Sequence, residues 1–154
     1  MKEKIYLNAN IIYGDSLKCI AKPTWKRTIK TGILERIAQN YDLTTSILTK
    51  MEVIQRLMRE ENCSNKMARK AFQTTVQKFN ISIIASINKF NILTNTFLDR
   101  VAIANLDFKD AIHLEIASKS RLLLVTHDKK FHKAFSQHPD KQKFYTQVVK
   151  PEDI

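Results

Sequence analysis

A chain of 154 residues with 44% hydrophobic content, two glycines and three prolines has enough apolar material for one cored domain, and its composition excludes disordered or low-complexity chains. It carries 26 Lys and Arg against 15 Asp and Glu, a formal net charge of +11, which points to a polyanion such as nucleic acid as partner; the plainer alternative is charge kept for solubility. No apolar run approaches the ~20 residues that span a bilayer, no signal-peptide pattern occurs, and Cys19 and Cys63 lack the spacing of a zinc ribbon or disulfide scaffold, so the expected setting is a reducing cytoplasm with no membrane.

Residues 4–8 read as the first strand, inside "KIYLNANIIYGD". Asn8 and Asn10 interrupt its apolar run. A buried amide left unpaired costs about 1–3 kcal/mol, so both need partners or a purpose. Residues 16–34 then carry Lys18, Lys22, Lys26, Arg27 and Lys30 with no acid and with Trp25 among them. A basic segment with an interleaved aromatic suits a nucleic-acid phosphate backbone and a stacking surface; the alternative is a solvated helix face with Trp25 packed inward.

Pro23 opens a helix that runs to about Gln39. "LTTS", 43–46, is β-prone, and Thr45 or Ser46 caps a helix over 47–60 in which Ile47, Met51, Ile54, Leu57 and Met58 recur at helical spacing. Ser64 or Asn65 caps the next helix, through about Lys78. "ISIIA", 81–85, is a strand, and 86–104 is mostly helical. Asp107 is an N-cap for "FKDAIHLEIASKS". "LLLVT", 122–126, has the continuous apolar pattern of a central parallel strand. A short helix from Lys129 and an edge strand, "FYTQVV", close the chain. Strands alternating with helices predict an α/β fold, one domain with a mainly parallel central sheet flanked by helices.

Sites in such sheets form at the carboxyl ends of strands. Asn8 falls at the end of the first strand and Asp128 just past the end of "LLLVT". Glu52 lies beside the apolar stripe of its helix, and Asp110 in the first turn of another. Singly, each has an ordinary explanation: Asp110 favours the helix dipole, Glu52 is a solvated helix residue, Asp128 is a cap. Together they bring four elements to one rim. Clustered carboxylates repel one another unless a cation neutralises them, and hard oxygen ligands with room for water suit Mg²⁺ or Mn²⁺. Such ions activate water and stabilise the leaving oxygen of a phosphodiester. An acidic metal pocket on a basic protein is a coherent nuclease layout.

Four segments carry a family resemblance. "YLNANII" resembles the opening hydrophobic–Asp–x–Asn–hydrophobic motif of PIN-domain ribonucleases, with Asn8 in the Asp position. "SILTKMEVIQRL" resembles the segment with the family's helical Glu, here Glu52. "DAIHLEIASKSRLLLVTHDKKF" is similar to its Asp-Ala helix followed by a strand ending Thr-x-Asp-x-x-Phe, which assigns Asp110 and Asp128. "VVKPEDI" resembles the tail of VapC-type toxins. The resemblance implies a PIN-like α/β domain, Mg²⁺ or Mn²⁺ held at Asn8, Glu52, Asp110 and Asp128, endonucleolytic cleavage of RNA, an antitoxin protein as partner, and a homodimer. It makes Thr126 an auxiliary polar residue and Asn10 a brace for the rim. A role in RNA processing is the other use of such a domain.

Asn8 complicates this reading. Asparagine nearly matches aspartate in shape but brings no charge, so weaker metal binding and a large loss of rate are expected. The substitution is either an inactivating change that lets a toxic nuclease be produced or a natural departure that leaves a non-catalytic RNA-binding protein. His127-Asp128 resembles the core of an HD phosphohydrolase without its further ligands, and His127, His132 and His138 lack the spacing of a zinc site. His113 reads as a packed helix residue.

Overall fold

The computed structural model describes residues 2–20, 32–86 and 106–154. Five strands form one sheet: β1 (Glu3–Leu7), β2 (Tyr41–Ser46), β3 (Ser82–Ile84), β4 (Leu123–Val125) and β5 (Val148–Val149), in the order β3-β2-β1-β4-β5. Every adjacent pair is parallel. Among the described residues six helices flank it: α1 (Ala9–Lys18), α2 (Ile33–Asn40), α3 (Ile47–Glu61), α4 (Asn65–Lys78), α5 (Phe108–Lys119) and α6 (Lys129–Gln137). The α/β class is as expected, and the sheet is wholly parallel among the described residues.

Strand alternation distributes the core. Ile5 and Leu7 of β1 enter one apolar cluster with Ile12, Leu17, Leu34, Ile37, Val53, Leu57 and Phe72 from α1–α4. Tyr6, between them, enters a second cluster with Ile112, Leu114, Ile116, Leu124, Phe131 and Phe144. The buried end of β1 faces apolar clusters on both sides, which is why Ile5, Tyr6 and Leu7 follow one another without a charged residue.

The segment after β1 differs from the strand read over residues 4–8. The chain turns into α1 directly, so β1 ends at Leu7, Asn8 is the N-cap, and Asn10 lies in the first helical turn. Ile11, Ile12 and Tyr13 are β-prone by type, but burying them together with Leu17 on a helix outweighs that preference.

The helix read from Pro23 to Gln39 is also corrected. Gly32 has a left-handed backbone, φ 81°, so no helix passes through it, and α2 starts at Ile33. Pro23, Trp25, Lys22, Lys26, Arg27 and Lys30 lie outside the described residues, as does nearly all of the helix read over 86–104. In α3, Ser46 caps as expected, but the buried residues are Thr49, Val53, Ile54 and Leu57, while Met51 and Met58 are exposed. The buried stripe is rotated away from the methionines. The last strand shrinks to Val148–Val149: Phe144 directly follows a 3₁₀ turn at Lys141–Lys143, and Tyr145 is exposed.

Candidate active site

At the carboxyl end of the sheet, β1 lies between β2 and β4, where the strand order reverses. Such reversal points open a crevice. Asn8 sits there. Its backbone N–H donates to Val125 O at 3.0 Å, extending the ladder one residue beyond β1. Its side chain does not cap α1 and has no hydrogen-bond partner among the described residues, although the residue is only 5% exposed.

Asn10 has the opposite character. Its Nδ2 donates to Thr126 Oγ1 at 2.9 Å, and its Oδ1 accepts from the His127 N–H at 3.2 Å. Thr126 Oγ1 also accepts from the Asp128 N–H at 3.2 Å. One amide and one hydroxyl thus fasten the start of α1 to the turn after β4. Asp128 caps α6, its Oδ1 accepting from the Lys130 and Phe131 N–H groups at 2.8 and 3.1 Å.

Glu52 and Asp110 approach from two helices. Glu52 is on α3, less than two turns after the Ser46 cap. Its Oε1 lies 3.3 Å from His113 Nε2. Asp110 is in the first turn of α5, which Asp107 caps by accepting from the Lys109 N–H at 2.9 Å. Burial, followed by the negative charges of Asp128, Asp107 and Glu52, pushes the Asp110 carboxyl up to about 7.

These side chains line two adjoining cavities. The larger, about 430 Å³, is bounded by Glu52, Asp107, Asp110, Asp128, Lys109 and Lys130. The smaller, about 210 Å³, is bounded by Asn8, Asn10, Glu52, Asp110 and Asp128 together with Arg56 and Arg59. Glu52, Asp110 and Asp128 border both. The structure therefore gathers Asn8, Asn10, Glu52, Asp110 and Asp128, with Thr126 buried behind them. Lys18 is not gathered: it stands at the far end of α1, about 14 Å along the helix from Ala9, paired with Asp15 at 3.0 Å.

Similarity by sequence alone places nothing: the chain matches no family model and no curated relative. Its structure does match solved proteins. A chain of VapBC-1 from nontypeable Haemophilus influenzae aligns with a TM-score of 0.62 at 15% identity, over 96% of this chain and 98% of that one. A chain of VapBC2 from Rickettsia felis, a structure bound to a DNA fragment from the VapBC2 promoter, aligns at 0.58 and 17% identity, over 95% and 98%. PAE2754 from Pyrobaculum aerophilum aligns at 0.58 and 15% identity, over 99% and 94%. The chain has a PIN-domain fold of the VapC type.

Within this PIN fold the donors have the chemistry for a hard divalent cation: three carboxylates and one amide oxygen around a polar cavity. Among the described residues, however, no group of three or more His, Cys, Asp or Glu is already drawn tightly enough to hold a metal ion.

The PIN fold also reveals residues that motif reading passed over. Tyr6 Oη lies 2.7 Å from Ser46 Oγ and 2.7 Å from His113 Nδ1. His113 is packed, as expected, at 1% exposure, but it also contacts Glu52. Tyr6 gave no sequence signal, because it looks like an ordinary strand residue, and Ser46 was legible only as a cap for α3. Arg56 and Arg59 border the smaller cavity and were read only as part of a helix. Their i+4 and i+7 spacing from Glu52 was the available clue.

Proposed function

We propose that the protein is a Mg²⁺- or Mn²⁺-dependent endoribonuclease of toxin–antitoxin type, with Asn8 holding this form at low or no activity. The observation that carries the reading is the convergence of Asn8, Glu52, Asp110 and Asp128 on one cavity rim at the carboxyl ends of β1 and β4. Glu52, Asp110 and Asp128 would hold the cation, with the Asn8 carbonyl oxygen as a weak fourth donor. The cation supplies an activated water and charge neutralisation for a phosphodiester. Asn10 and Thr126 keep the rim in register. The basic surface draws in RNA. The likeness to chains from two VapBC structures supports an antitoxin protein as partner; a homodimer and the cytoplasm fit the same reading. No helix among the described residues is long and apolar enough to cross a membrane.

The test compares the chain with its Asn8→Asp variant on a panel of structured and unstructured RNAs, with Mg²⁺, Mn²⁺ or chelator. The variant should cleave at least one RNA in a metal-dependent way and clearly faster than the Asn8 form. A variant that cleaves no better than the Asn8 form on any RNA overturns the reading. Asn8 itself favours a second function, non-catalytic RNA binding. That predicts salt-dependent affinity indifferent to substitution of Glu52, Asp110 and Asp128.

A further inference from the structure

Glu52, Arg56 and Arg59 stand at i, i+4 and i+7 on α3 and so share one helix face, with Arg56 about 6 Å along the axis from Glu52. Both arginines border the smaller cavity. Arg56 is held on two sides. Its Cζ lies 3.9 Å from the centre of the Tyr13 ring, and its Nε donates to Glu60 Oε1 at 3.0 Å. The platform is itself anchored, since the Tyr13 hydroxyl donates to Glu60 Oε2 at 2.8 Å. Tyr13 is 7% exposed and part of the core.

These contacts use the face of the guanidinium and its Nε edge. Nη1 and Nη2 have no partner among the described residues. Nor does Arg56 pair with Glu52, Asp110 or Asp128, so it is not placed to neutralise them. An exposed i,i+4 Arg–Glu pair contributes only about 0.3–0.5 kcal/mol and needs no aromatic platform. A guanidinium stacked on one side, tied at Nε and open at both terminal nitrogens presents a rigid two-pronged donor. That geometry suits two oxygens of one phosphate. Arg59, 77% exposed and 3.6 Å from Glu60, adds positive charge on the same side.

We infer that Arg56, supported by Arg59, is a phosphate clamp that grips a phosphodiester of the bound strand next to the one at the carboxylates. The assignment rests on the RNA-cleavage reading and adds the direction in which the strand leaves the acidic pocket, along α3 away from Ser46. Tyr13 and Glu60 act as positioning residues for the fork.

Binding measured in chelator, where cleavage does not interfere, tests it. A fluorescent single-stranded RNA is titrated at several salt concentrations with the parent, Arg56→Gln, Arg56→Lys, and Lys70→Gln as an exposed control on α4. Arg56→Gln should weaken affinity about tenfold and flatten the log–log salt slope by about 0.7, the loss of one phosphate contact on a single strand. Arg56→Lys should keep the slope but lose at least threefold in affinity, because a point charge replaces a fork. Lys70→Gln should change affinity less than twofold. Arg56→Gln behaving like Lys70→Gln overturns the clamp; if that variant fails to fold, an Arg56→Lys affinity equal to the parent overturns it instead. A DNA strand of the same sequence should suffer the same loss, and a loss confined to RNA overturns the phosphate assignment in favour of a sugar contact. A parent that binds no RNA at all removes the RNA-cleavage reading itself, which separates the two failures.

Discussion

His113 Nε2 stands 3.3 Å from Glu52 Oε1, at the end of a buried polar chain that starts at Ser46. With Glu52 ionised, every donor points the same way. The Ser46 hydroxyl donates to the Tyr6 oxygen, the Tyr6 hydroxyl to His113 Nδ1, and His113 Nε2–H to the carboxylate. Burial holds the Tyr6 phenol well above its ordinary range, so it keeps the proton it donates. The chain fixes the imidazole tautomer, and the imidazole fixes one oxygen of Glu52. His113→Phe removes the acceptor of the Tyr6 hydroxyl and leaves it Ser46 alone, and should cost about 1–3 kcal/mol in urea unfolding. Combining it with Tyr6→Phe should cost less than the two single changes together, by about 0.5–3 kcal/mol. Additive costs would mean the chain is not coupled.

Asp110 makes stability depend on pH. Its folded value, about 7, lies above the ordinary 3.8, so between those limits the folded state binds more protons than the unfolded chain. Stability attributable to Asp110 is therefore fully present below about pH 4 and declines as pH rises through 7. In chelator, Asp110→Asn should remove this component: the variant should melt higher than the parent at about pH 8, and the gap should narrow as pH falls below about 7 and close only near pH 4. Mn²⁺ should raise the parent's melting temperature at pH 8 and leave Asp110→Asn nearly unmoved. A pH-independent gap would show that Asp110 is not strained by its neighbours.

Asp128 combines a cap with a charge at the cavity, and two substitutions separate them. Asp128→Ala removes the acceptor for the Lys130 and Phe131 N–H groups and should cost about 0.5–2 kcal/mol. Asp128→Asn keeps a capping oxygen and should stay within a few tenths of a kcal/mol of the parent. In an Asn8→Asp background both changes should abolish metal-dependent cleavage. Cleavage surviving in Asp128→Asn would leave this residue with the cap alone.

Thr126 Oγ1 joins Asn10 to the turn that carries Asp128. Thr126→Val keeps the shape, strips both bonds from a side chain with no exposure, and should cost about 1–3 kcal/mol by chemical denaturation. Thr126→Ser keeps the hydroxyl and should cost under 1 kcal/mol, the value of a methyl group. Equal losses would assign the effect to packing.

Much of the fold was legible because its signals are local. Ser46, Ser64, Asp107 and Asp128 each precede a helix and cap it through their own side chains. The apolar run "LLLVT" reads as a central strand because only full burial tolerates it. The acids were legible through motif order. What failed depended on neighbours distant in sequence. Ile11 and Ile12 look like strand residues until the core that receives them exists, and Met51 looks buried until α1 and α4 select a different stripe of α3.

The sequence by itself determined the element types, the parallel α/β class and the identities of the acids, since periodicity, caps and charge act within a few residues. Only the tertiary structure decided that Asn8 is a helix cap whose amide goes unused, that His113 and Tyr6 reach Glu52 across 61 and 46 positions of chain, and that Arg56 lies on Tyr13 with its fork open. Hydrogen-bond partners, burial and cavities arise only when remote segments meet, and no local pattern encodes which segments those are.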